Sequence, residues 1–409
     1  MSLPFSSATS LDSAWRARAA AVIPGGASTG SKRPDALFGE DVEDVPTHYV
    51  SASGCRLVTA GGTELVDCVM ALGAVGLGYA DEAVTHAVVE AAAQGNVAGL
   101  SHTLEVEIAE RLCEVIPCAE RVRFLKSGAE GVAAAVRIAR AHTGRSLVLG
   151  CGYFGWLDWY AEGPGITEGA HADFRAIPFD DQDALEDAVR QAGDALAGIV
   201  LEPVIERLPS VEWVAAARRL CDEVGAVLIF DEMKTGFRLR TGGYQELAGV
   251  VPDLAVFGKA LANGFPLAAV VGRANIMDAA RRAWISSTLA SESVALAAAG
   301  AVLDSHAHGG VCEAIWEAGA AIRGAVEEAV AESGVRGVSV RGIAPMWLLD
   351  FDREERRSRF LEIAVGRGVL FKRGAYNYAS TAHDEEARAL IRSAASDAFE
   401  LLKEEDRGG

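Results

Sequence analysis

Five short stretches of this chain are apolar almost without interruption: 146–150 (SLVLG), 198–203 (GIVLEP), 226–232 (AVLIFDE), 254–259 (LAVFGK) and 268–272 (AAVVG). Continuous apolarity over so few residues is the pattern of strands buried on both faces. Between them apolar residues recur at near-helical spacing, as in 211–224 (VEWVAAARRLCDEV), which predicts helices with one buried face. Strand alternating with helix predicts an α/β fold whose central sheet is mostly parallel and covered on both sides. In such sheets ligands gather at the carboxyl ends of the strands.

Helical patterns also occupy 10–23, 291–304 and 312–333. A strand-like stretch follows at 335–351, then a helix from Arg353, and a charged helix over 384–405 closes the chain. These features predict a large domain over 58–307. A smaller α+β domain is expected from 1–57 and 308–409, divided from the first near His308, Gly309 and Gly310.

Charge narrows the function classes. Asp plus Glu is 57 against 38 for Lys plus Arg, a net charge of −19 over 409 residues. That balance argues against a protein that coats nucleic acid or an anionic membrane. No run reaches the roughly 18 apolar residues of a spanning helix. The first twenty residues carry no continuous apolar core of a signal peptide, which points to a cytoplasmic protein. Seven cysteines without a CxxC pair read as neither a disulfide framework nor a zinc site, and no metal is expected. Only six of the basic residues are lysines: Lys32, Lys126, Lys234, Lys259, Lys372 and Lys403.

Four places carry candidate chemistry. Gly150, Gly152 and Gly155 match G-x-G-x-x-G after a strand. The segment that follows, WLDWYAEGPGITEG, is a poor helix, so the dinucleotide reading fails for want of a helix N-terminus. At Ser127, Gly128 and Ala129 a short apolar run enters a small-residue turn that opens a helix, where backbone N–H groups favour a phosphate; a plain Ser cap is the alternative. Asp231 ends an apolar strand, where a buried carboxylate needs a cationic or hydrogen-bonding partner. Lys259 ends another, where desolvation lowers an amine's pKa and suits it to Schiff-base chemistry; a snorkelling surface lysine is the alternative. Glu202, Asp231 and Lys259 lie 29 and 28 residues apart, about one βα unit each, so all three can face one pocket.

Taken together these residues resemble the class III pyridoxal-phosphate aminotransferases of fold type I, and in particular the glutamate-1-semialdehyde aminomutase-like branch. The likeness runs from Pro24-Gly25-Gly26 to Ala382-His383 and is most specific in RVRFLKSGAE, LIFDEMKTGFR and LAVFGKALANGFPLAAVVGR. It implies pyridoxal 5'-phosphate as cofactor, with pyridoxamine 5'-phosphate in the half-reaction. Lys259 then looks like the Schiff-base lysine that also shuttles a proton, and Asp231 like the partner of the pyridinium nitrogen. Ser127, Gly128 and Ala129 resemble the phosphate cup, Tyr153 the residue stacked on the ring, and Glu202 the Glu near the cofactor. Thr288 resembles the Thr that reaches the neighbouring subunit's phosphate, which implies a homodimer with shared active sites.

The departures from the family pattern bear on substrate. Tyr-His-Gly reads Tyr153-Phe154-Gly155, and a Gly-Asn-Pro stretch reads Ala290-Ser291-Glu292-Ser293. The acid expected before Ala382-His383 is missing from Gly374-Ala375-Tyr376-Asn377-Tyr378, and the carboxylate-binding Arg region becomes Ser28-Thr29-Gly30-Ser31-Lys32-Arg33. The aromatic segment 155–160 and the Asn377 region look more like relatives that aminate sugars. The expected reaction passes an amino group from a donor such as L-glutamate to a keto or aldehyde sugar or an aminocyclitol, in antibiotic or polysaccharide biosynthesis. Arg33 or Arg373 is expected on a donor carboxylate, and Asn377 near the substrate. Alternatives are a glutamate-1-semialdehyde aminomutase, an epimerase using the same cofactor, and a non-catalytic or nucleotide-binding α/β protein.

Overall fold

A computed structural model describes residues 8–40, 42 and 45–408. Residues 1–7, on which the reading against a signal peptide partly rests, lie outside them. Of the described residues, those up to Asp81 and those from Glu313 form one compact unit, and Glu82–Cys312 form the other.

The unit Glu82–Cys312 is built on a seven-stranded sheet. Its strands are β1 (Arg121–Leu125), β2 (Leu147–Cys151), β3 (Phe174–Ala176), β4 (Leu196–Leu201), β5 (Val227–Asp231), β6 (Leu254–Phe257) and β7 (Ala268–Gly272). They lie in the order β1-β7-β6-β5-β4-β2-β3. Only β7 runs antiparallel to its neighbours. The five apolar runs are all strands close to their expected bounds, and every residue of β2, β4, β5, β6 and β7 is buried. Burying one such Val, Leu or Ile side chain contributes about 1.5–3 kcal/mol.

The helix Val211–Val224 forms where its spacing predicts. Ser210 caps it by accepting from the N–H of Trp213, Gly225 ends it at φ 67°, and Trp213, Val214, Ala217, Leu220 and Cys221 fill its buried face. Helix Gly128–Thr143 buries Val132, Ala135, Val136, Ile138 and Ala139 in one apolar cluster with strand residues that include Val148, Val200, Ile229 and Val256.

The other unit holds two small sheets. Tyr49–Ser53, Arg56–Thr59 and Glu64–Asp67 form an antiparallel meander, and Val369–Leu370 joins it in parallel against Glu64–Asp67. The stretch expected as strand at 335–351 is a hairpin, Val338–Ile343 with Met346–Phe351, extended by Asn377–Tyr378. Phe360, Phe371 and Phe399 stack beside it at centroid distances of 5.3 and 4.8 Å. The division at 57/58 expected from sequence lies instead at 81/82. Arg56–Thr59 and Glu64–Asp67 are one hairpin, and both of its outer neighbours belong to this unit. The later division lies at 312/313, inside the helix Val311–Ser333.

Candidate active site

Six of the seven strands share one direction, so their carboxyl ends share one edge. Along that edge Lys259 follows β6, Asp231 ends β5, Glu202 follows β4 and Tyr153 follows β2, and these four strands are consecutive neighbours. Ser127 follows β1, with β7 between it and β6. Sheet topology thus brings together the residues singled out at the strand ends.

Glu202, buried, organises its neighbours: Oε2 accepts from the N–H of Tyr153 at 3.2 Å, and Oε1 forms an ion pair with Nζ of Lys234. Gly152 makes this approach possible, since a Cβ there would lie 3.0 Å from Oε2 of Glu202 on a backbone at φ 134°. Asp231 is buried and accepts from the N–H of Met233 at 3.0 Å. Burial, then the nearby Glu202 charge, pushes its carboxyl above the usual range; the Met233 N–H, Lys259 and Lys234 work against that.

Lys259 is half-buried and sits at φ 49°, a left-handed conformation uncommon outside glycine. Burial, then the charge of Lys234, holds its amine below the ordinary lysine value, and Asp231 and Glu202 oppose the shift. A lowered pKa leaves more of the amine as the neutral nucleophile.

Ser127 caps helix Gly128–Thr143 in a reciprocal box. Its Oγ accepts from the N–H of Glu130 at 3.3 Å, while Oε2 of Glu130 accepts from the N–H groups of Lys126 and Ser127 at 3.2 and 2.9 Å. The glycines around this turn are close-packing positions. A Cβ at Gly128 would lie 2.7 Å from Cε of Met233, one at Gly258 would lie 2.6 Å from it, and one at Gly155 would lie 2.8 Å from Cα of Ala129. Met233 therefore wedges between the Ser127 turn and the Lys259 turn.

Phe154, Trp159, Tyr160 and Phe174 pack ring on ring, with Phe154 and Tyr160 centroids 5.1 Å apart. Tyr153 and Trp156 are left exposed, at 68% and 72%. No helix follows Gly155, in keeping with the rejection of the dinucleotide reading.

Other expected residues are not at the strand ends of this sheet. Thr288 is exposed, on the segment before helix Ser293–Ala307. Arg33, Arg373 and Asn377 belong to the other unit. Arg33 is exposed at the start of helix Pro34–Phe38, and Arg373 pairs with Glu354 at 2.7 Å. Asn377 is fully buried. Its Oδ1 accepts from the N–H of Lys372 at 2.8 Å and its amide donates to the Trp347 carbonyl at 3.5 Å, so both ends serve the fold. Sequence reasoning assigned no role to Lys234, Met233, Lys126 or Glu292; for the two lysines the rarity of that residue was the available signal.

Residues 38–152 and 167–382 match the family model of class-III aminotransferases. The chain belongs to that family. The glutamate-1-semialdehyde 2,1-aminomutase of Rhodopirellula baltica is 36% identical over 70% of this chain and 69% of its own. The 3-aminobutyryl-CoA aminotransferase of Cloacimonas acidaminovorans is 29% identical over 93% and 95%. Among solved structures, FumI of Sphingopyxis sp. MTA144 in a PLP form superposes with a TM-score of 0.91 at 25% identity, covering 97% of this chain and 98% of that one. A transaminase with PLP bound gives 0.88 at 28%, covering 98% and 99%.

This class-III aminotransferase is an enzyme, and its cofactor is pyridoxal 5'-phosphate. The groups at the strand edge suit that molecule: an amine of lowered pKa, a buried carboxylate and a hydroxyl-bearing helix N-terminus. Among the described residues no group of His, Cys, Asp and Glu is arranged to hold a metal, and no helix is long and apolar enough to cross a membrane.

Proposed function

We propose that this enzyme moves an amino group from an amino-acid donor, L-glutamate in the first instance, to a carbonyl acceptor with a hydroxylated ring. The observation that carries the reading is the row of Lys259, Asp231 and Glu202 at adjacent strand ends. Bound pyridoxal phosphate supplies an electron sink and an amino-group carrier. Lys259 takes up and returns the substrate proton at Nζ, and its lowered pKa keeps that atom free to accept it. Asp231 shares a proton with the ring nitrogen, and its raised pKa suits a shared proton. Ser127, Gly128 and Ala129 hold the phosphate at the helix N-terminus. Glu202 fixes Lys234 and the Tyr153 backbone, so Tyr153 can lie on the ring.

Donor and acceptor use one site in turn, so the kinetics are ping-pong. Exposed Trp156 offers an aromatic face to a sugar or aminocyclitol ring. Arg33 and Arg373 remain the candidates for a donor carboxylate. The assembly is a cytoplasmic homodimer in which Thr288 reaches the neighbouring phosphate. A second reading, the aminomutase, has the names of several relatives in its favour. The acid-free stretch from Gly374 to Tyr378 speaks for the external acceptor.

The test starts from the yellow holoenzyme. L-Glutamate alone should convert it to the pyridoxamine form with one equivalent of 2-oxoglutarate, and Lys259→Ala should abolish both this and borohydride trapping. Turnover of glutamate-1-semialdehyde without any donor, with no response to glutamate, overturns the external-acceptor reading.

A further inference from the structure

Lys126 stands beside the turn assigned to the cofactor phosphate, and its ammonium bonds to two other segments. Strand β7 lies between β1 and β6, with Ala268 opposite Leu125 and Ala269 opposite Phe257. The chain therefore enters β7 next to the residues that follow β1 and β6. There Nζ of Lys126 donates to the Pro266 carbonyl at 3.0 Å and to Oε1 of Glu292 at 2.8 Å. Glu292 caps helix Ser293–Ala307, accepting from the N–H groups of Val294 and Ala295 at 2.9 and 3.1 Å. The two side chains are only 17% and 8% exposed.

One ammonium thus joins three segments: the Ser127 turn, the run from Lys259 into β7, and the segment that carries Thr288. Glu292 stands in the stretch where the family pattern reads Gly-Asn-Pro, so this carboxylate is a departure of this chain. Stability alone does not explain the pair, because apolar residues can replace a buried ion pair at little cost. Its placement beside a helix N-terminus does have an electrostatic use.

We propose that Lys126 and Glu292 are a positioning pair that sets the affinity for the cofactor phosphate. Lys126 attracts the dianion, and Glu292 holds that ammonium against Pro266 and tempers its field. The Glu130 carboxylate already faces the turn, so the balance of charge there is close and each member of the pair counts. The inference rests on the proposed phosphate site at Ser127, Gly128 and Ala129.

The test titrates the full-length apoenzyme with pyridoxamine 5'-phosphate and with pyridoxamine, and reads the ratio of the two dissociation constants. That ratio isolates the phosphate, and a change in general fold would move both ligands together. Glu292→Gln keeps a capping oxygen and should tighten the phosphate ester by roughly tenfold, leaving pyridoxamine unchanged. Lys126→Met should weaken it by at least about tenfold. If Lys126→Met does not fold, Lys126→Met/Glu292→Gln leaves no orphan charge and should bind the ester more weakly than Glu292→Gln. The proposal is overturned if the Glu292 and Lys126 changes shift the ratio in the same direction or not at all, or if the double variant matches Glu292→Gln. Ser127→Ala separates the two layers: an unchanged ratio there removes the phosphate site itself, whereas a ratio of ester to pyridoxamine dissociation constants that rises leaves only the pair at stake.

Discussion

Gly155→Ala perturbs the place where the Tyr153 loop meets the Ser127 turn. Its backbone sits at φ 101°, and a Cβ would lie 2.8 Å from Cα of Ala129. Leaving a left-handed conformation to a residue with a side chain costs about 1–2 kcal/mol. Forcing an added carbon into a packed interface costs about 1–3 kcal/mol more. The sum, about 2–5 kcal/mol, lowers the melting temperature of a unit of this size by roughly 5–15 °C. Gly144→Ala supplies the reference: it too has a positive φ, 71°, but no atom lies within 4 Å of its would-be Cβ. That change should cost only the backbone part, about 1–2 kcal/mol. The assay is a thermal melt of both apoenzymes, followed by titration with pyridoxal phosphate. Gly155→Ala should melt well below Gly144→Ala and bind the cofactor more weakly, because Ala129 must move. Melting temperatures within about 2 °C of each other would refute the close-packing argument.

Two further predictions concern charge, and a third the lysine itself. Lys234→Met removes a cation that lowers the Lys259 pKa and that pairs with Glu202, which raises it, so the amine should stay protonated to higher pH. The pH profile for the rate of pyridoxal-phosphate capture should move upward; a downward or absent shift contradicts the charge map. His383 is fully buried, with Nδ1 accepting from the Ser380 N–H at 3.1 Å, and burial pushes its pKa down to about 4. The folded protein then binds fewer protons than the unfolded chain. Stability present above about pH 6.5 is lost as pH falls toward 4, by about 3 kcal/mol in all. Urea midpoints of His383→Gln should be flatter over that interval than those of the parent, and parallel profiles would count against it. Lys259→Ala should stay colourless on reconstitution and give no product trapped by borohydride, while circular dichroism still reports a folded chain.

Much of the site was legible because βα units have a regular length. Glu202, Asp231 and Lys259 each follow an apolar run, and apolar runs of that kind pair as neighbours. Helix Val211–Val224 was equally plain, since Ser210 and Gly225 mark both ends. Long-range pairing was not legible. Val369–Leu370 joins a sheet begun near Tyr49, and that pairing places residues up to Asp81 with the C-terminal region. The backbone of Met70-Ala71-Leu72-Gly73 is left-handed at φ 44°, 49°, 60° and 80°, and no local signal in those four residues marks it. Asn377 looked available to a ligand because nothing local reveals that Lys372 and Trp347 take up its amide. The Lys126–Glu292 pair spans segments whose meeting depends on the direction of β7.

That direction has a further result. Between β6 and β7 there is no crossover helix, only the turn Lys259–Ala262 and a few residues more. Most strand-end loops of a parallel sheet lead out to a helix and can open singly. The Lys259 loop instead returns at once into a strand paired on both sides, to β6 and to β1. Displacing this loop as a whole pulls on two interior strands of the seven-stranded sheet. Amide exchange around Lys259 should therefore approach the rate of global unfolding, so that the nucleophile is among the last parts of the chain to come loose.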